Sequence, residues 1–114
     1  MLTEYYDIIR MAKEEPDTLG GILAKTSILR VAAGWNSYND PNVFELSLEK
    51  KFNDLTNEYQ SYKWDMKQVM AGLELAKQLY YGDNPELKQS EIENHSCPDR
   101  LATLQTHPEL EGII

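Results

Sequence analysis

One cysteine, two histidines and no continuous apolar run of 18 residues remove several classes of protein at the outset. Cys97 has no second thiol in the chain to pair with, which fits a reducing compartment and leads us to expect a cytoplasmic protein. Without a long apolar run there is no candidate membrane span. The start MLTEYYDIIR lacks the basic opening and apolar middle of a secretory signal. Basic residues are also scarce: eleven against nineteen acidic ones give a net charge of −8, which opposes non-specific binding to phosphate backbones. No local basic patch offsets that balance, so direct nucleic-acid binding is not expected. The Gly20–Gly21 pair follows no strand and has no downstream Lys-Ser/Thr, the context that a phosphate-cradling loop requires. What remains, with 41% apolar and 26% charged residues, is the composition of an ordinary single domain.

The strongest positive signal lies between residues 41 and 81. Apolar side chains recur at Leu48, Phe52, Leu55, Tyr59, Tyr62, Met66, Val69, Leu73, Ala76 and Tyr80, and the steps after Phe52 alternate three and four residues as a heptad seam does. Asp40 and Pro41 supply a start, and Gly82 followed by Pro85 supplies a stop, so the pattern predicts one unbroken helix over 41–81. Such a helix would be about 60 Å long, against a diameter of about 35 Å for a compact chain of this size. The seam residues Phe52, Leu55, Tyr59, Tyr62, Met66, Val69 and Leu73 are therefore expected to form a homo-oligomer interface. A second apolar stripe at Trp64, Ala71 and Leu75 suggests that the later half is sandwiched between two neighbours. The alternative is a break near Tyr62–Trp64 that folds the second half back into a four-helix bundle, but no Gly or Pro stands there to make it.

Ahead of the long segment, Thr3 and EYYDIIRMAKEE read as a first helix with Thr3 as its cap. A second runs from Asp17 to Ala33 with Leu19, Ile22, Leu23, Thr26, Leu29 and Ala33 on one face, and Gly34 is placed to end it. The expected fold is all-α: a hairpin over 3–34 packed on the long helix, together a helical domain over 1–82. Residues 83–114 form an acidic tail of short helices and irregular chain, docked on that domain or loosely attached. The tail holds seven acidic residues against two basic ones, so most of the net charge belongs to it.

Few residues offer chemistry. His95, Cys97 and His107 are the candidates for a thiol nucleophile with a histidine base or for a zinc site, but their spacing lacks the paired geometry that either needs. The carboxylate pairs Glu45/Glu49 and Asp54/Glu58 face alike on the long segment. Lysines 50, 51, 63 and 67 intersperse with them, as on a solvated face with local ion pairs. We therefore expect no catalytic residue, no metal site and no cofactor. The expected function is that of a non-catalytic protein–protein interaction protein acting as a helical homo-oligomer: an adaptor, accessory subunit or small regulator.

Its partner-binding candidates are the aromatic pair Trp35 and Tyr38 on the loop WNSYND, and the tail acids Glu91, Glu93, Glu109 and Glu111. Two alternatives stand beside this reading. The chain is an acidic inhibitor, of the kind phages and mobile elements encode, that occupies a nucleic-acid site on a target, or it is a small enzyme or metal protein built on Cys97 with His95 and His107.

Overall fold

The computed structural model describes residues 3–34, 41–81 and 100–114, and they are helical, without a strand among them. Among the described residues five helices follow in order: α1 (Tyr5–Glu14), α2 (Leu19–Gly34), α3 (Pro41–Tyr62), α4 (Met66–Tyr81) and α5 (Arg100–Thr106), with a 3-10 turn at Pro108–Leu110. The fold class expected from the sequence is thus the one observed. None of the described helices is long and apolar enough to cross a membrane.

The long helix is not observed. Residues 41–81 are two helices, parted at Lys63–Asp65, and the break is built without Gly or Pro. Lys63 takes a left-handed backbone conformation with φ of 51°, and the Trp64 N–H donates back to the Tyr59 carbonyl at 3.3 Å. This is the six-to-one bond that terminates a helix in a Schellman motif, with Lys63 where glycine is usual. Asp65 then starts α4. Its carboxylate accepts from the Gln68 N–H at 2.8 Å while the Gln68 side chain accepts from the Asp65 N–H at 2.9 Å, a reciprocal capping box. A non-glycine residue in the left-handed region costs about 1–2 kcal/mol. The bend is favoured because it lays Val69, Leu73, Ala76 and Tyr80, all buried, into the chain's own core, and a buried Val or Leu side chain contributes about 1.5–3 kcal/mol.

Helices α1, α3 and α4 all meet α2, whereas α3 and α4 barely approach one another. The composition of α2 explains its position. Lys25 and Arg30 are the only charged residues from Leu19 to Gly34, and a helix apolar on nearly all sides is stable only when surrounded. The expected face at Ile22, Leu23, Thr26, Leu29 and Ala33 is buried, and so are Ala24, Ser27, Ile28 and Ala32 on the other side. The hydroxyls of Thr26 and Ser27 donate to the carbonyls one turn back, Ile22 and Leu23, at 2.8 Å each, so neither carries an unmet polar group into the core.

Both hairpin helices begin differently from the sequence reading. α1 starts at Tyr5 after Glu4, whose side chain makes no capping bond, and Thr3 does not cap it. Its cap comes from α3: Glu49 accepts the Tyr5 N–H at 3.0 Å, and Asn53 pairs with both the N–H and the carbonyl of Thr3 at 3.2 Å. α2 starts at Leu19 with Thr18 as its cap, the Thr18 hydroxyl accepting from the Gly21 N–H at 3.1 Å. Gly21 is needed there, because a Cβ at that position would overlap the Glu15 carbonyl, where the α1–α2 turn crosses the helix start. The assembled chain has a radius of gyration of 13.6 Å and measures 35 × 29 × 22 Å. At about 33 Å, α3 alone spans its longest dimension.

Candidate functional site

The chemistry-bearing residues that the fold brings together come from its two ends and its middle. His107, from the segment after α5, meets both Tyr5 on α1 and Phe44 on α3, and Leu110, Ile113 and Ile114 are buried in the same core. Of the tail, Thr103, His107, Leu110, Ile113 and Ile114 are thus buried with the helical body. His107 is 1% exposed and stacks on Phe44, ring centroids 4.3 Å apart and 29° between planes. Tyr5 meets Phe44 edge-on at 6.3 Å, the arrangement that ring quadrupoles favour.

Glu109 is the polar centre of this cluster. Its Oε1 accepts the Tyr5 hydroxyl proton at 2.6 Å and lies 3.2 Å from His107 Nδ1, with Tyr5 Oη 3.5 Å from the same nitrogen. Burial is the first cause that raises the Tyr5 phenol far above its ordinary pKa, and the hydrogen bond to Glu109 and the negative charge of that carboxylate and of Glu45 add to it. Tyr5 therefore stays a neutral donor. For Glu109 burial acts upward, but hydrogen bonds from Tyr5, from its own backbone N–H and from His107, with the charge of His107, outweigh it and bring the carboxyl below its usual range. A carboxylate fed by a phenol and an imidazole is a fastening, since its acceptor atom is already engaged. His107 is closed against solvent beside the rings of Phe44 and Tyr5.

The residues singled out from the sequence are dispersed. Phe52, Leu55, Val69 and Leu73 are buried in the core of their own chain, which takes them out of the expected oligomer interface. Tyr59 packs against that core, leaving Tyr62 and Met66 exposed at 74% and 50%. Of the partner-binding candidates, Glu109 is held internally with a quarter of its side chain exposed, so it is not a free tail acid. Glu111 is exposed, and Trp35, Tyr38, Glu91, Glu93, His95 and Cys97 lie outside the described residues. Among the described residues no group of three His, Cys, Asp or Glu is arranged to hold a metal ion.

Two hollows lie among the described residues. The larger, about 630 Å³ beside the start of α1, is lined by Glu4, Glu49, Lys50, Asn53 and Asp54 among others; Glu49 Oε1 and the Asn53 amide hydrogen-bond to the backbone of Tyr5 and Thr3, and Lys50 pairs with Asp54 at 2.8 Å. The smaller lies where α3 and α4 diverge over α2. Tyr5 and Phe44 escaped the sequence reading as site residues because ordinary apolar spacing explains both. No protein-family model matches this sequence, and neither a curated protein nor a solved structure matches it.

Proposed function

We propose that this chain is a non-catalytic protein–protein interaction protein, a helical scaffold that associates with itself and offers its outer faces to a partner protein. The observation that carries this reading is the grouping of exposed apolar residues at the bend. Tyr62 closes α3, Met66 opens α4 four residues later, and Met70, 40% exposed, stands one turn further on. Single exposed apolar residues are ordinary, whereas a group at one place marks a contact surface. Methionine suits such a surface because its unbranched, polarizable side chain adapts to the partner. The inward use of Tyr5, His107 and Glu109 supports the same reading, since the titratable groups that the fold gathers are consumed in holding it together. A cytoplasmic setting, in which the thiol of Cys97 stays reduced, agrees with it.

Self-association would proceed through the bend in place of the core seam. Light scattering at micromolar concentration should give a mass above that of one chain, and Tyr62→Glu with Met66→Glu should return it to one chain by forcing carboxylates into the contact. Both positions are exposed, so the double variant should keep its stability to within about 1 kcal/mol. A wild-type protein that scatters as a single chain throughout this range would overturn self-association.

A further inference from the structure

α3 and α4 lean on α2 and diverge from the bend at Lys63, and a groove of about 180 Å³ stays open between them. Buried Leu23, Leu55 and Val69 make its floor, and half-buried Trp64 stands at one side. Gly72 faces the same space: a Cβ added there meets nothing within 4 Å, so no neighbour demands glycine at this mid-helix position. The rim is bipolar. Arg30 on α2 and Glu58 on α3 are both exposed and line the groove, and neither forms an ion pair among the described residues.

We infer that this groove receives one aromatic side chain of a partner polypeptide, whose flanking acidic residue meets Arg30 and whose flanking basic residue meets Glu58. Size selects the occupant. The space is close to the cavity of about 150 Å³ that accepts benzene and below the roughly 300–1,000 Å³ of pockets that enclose whole small molecules. The space thus matches one ring, and a side chain brings its own backbone to cover the open rim. Charge then sets direction, because a cation on α2 and an anion on α3 distinguish the two ways in which a segment can cross the groove. An aromatic anchor in an apolar notch with polar groups around it is the arrangement that concentrates binding energy at protein interfaces. The inference deepens the binding function proposed above and rests on it.

The test is a nuclear magnetic resonance titration of the full chain with acetyl-Asp-Trp-Lys-amide. We expect millimolar binding, with shifts at Leu23, Val69, Gly72 and the Trp64 indole. Gly72→Leu should abolish those shifts by filling the groove from a helix that accepts Leu more readily than Gly, with a melting temperature no lower than wild type. Arg30→Gln should weaken the peptide by about two- to fivefold. Arg30→Glu, which leaves the core untouched should Gly72→Leu fold poorly, should reverse the preference between acetyl-Asp-Trp-Lys-amide and acetyl-Lys-Trp-Lys-amide. The inference is overturned by an absence of shifts in the groove, by undiminished binding to a folded Gly72→Leu protein, by an unchanged preference in Arg30→Glu, or by free indole binding as tightly as the peptide. A chain that scatters as a monomer yet takes the peptide here retains the groove and loses self-association. A self-associating chain whose groove ignores the peptide does the reverse.

Discussion

Gly20 and Gly21 are neighbours in sequence and in the same helical turn, yet their surroundings set opposite responses to a methyl group. At Gly21 a Cβ would run into the backbone of Glu15, which cannot move without displacing the α1–α2 turn, whereas at Gly20 it would lie 3.4 Å from Met11 Sδ, the end of a flexible side chain. Gly21→Ala should therefore destabilise by about 1–3 kcal/mol through overpacking, and Gly20→Ala should gain up to about 1 kcal/mol of helix propensity. Thermal melting of the two variants checks this, and equal shifts would show that the turn relaxes freely. Glu109 makes a second prediction at this scale. Folding holds its pKa below the ordinary carboxyl value of about 4.5, so as pH falls the unfolded chain takes up the proton first. The stabilisation is whole above about pH 4.5 and is lost as pH drops through the folded value. In Glu109→Gln that part of the acid-side loss should vanish, which denaturant midpoints measured from pH 6 down to pH 3 would reveal.

At the scale of elements, the bend between α3 and α4 is held by backbone geometry at Lys63 and by a cap at Asp65, and these respond in opposite directions. Asp65→Ala removes the capping box and should cost about 0.5–2 kcal/mol. Lys63→Gly relieves the left-handed strain, partly offset by the greater freedom of glycine in the unfolded chain, and should gain up to about 1 kcal/mol. Denaturation of both variants decides the matter, and a Lys63→Gly protein that loses stability would show that the bend is imposed by packing alone. This bend was also the element least legible in the sequence. A three-four seam runs through it unbroken because Tyr62 and Met66 are four residues apart, and the usual breakers, Gly and Pro, are absent. The readable signal was Asp65 followed three residues later by Gln68, a helix start inside an apparent helix interior. Position α2 presents the contrasting case: with two charges in sixteen residues, its place at the centre was open to inference from composition, although the periodicity drew attention to a single face.

For the molecule as a whole, the all-α class and the N-terminal hairpin were legible because local spacing and turns encode them. The cluster of Tyr5, Phe44, His107 and Glu109 was not, since partners 104 residues apart leave no shared period, and HPELEGII has no regular pattern at all. That separation has a consequence for the rate at which the fold is lost. Joining Tyr5 to Glu109 closes a loop over nearly the entire chain, an entropic cost met only once the helices between them have docked. The fastening then forms after the folding barrier, and substitutions in it fall on the unfolding limb. Tyr5→Phe, if it costs about 1 kcal/mol, should speed unfolding about fivefold and leave the refolding rate unchanged, a division that stopped-flow chevrons resolve. On this expectation the closing segment sets how long the native chain persists.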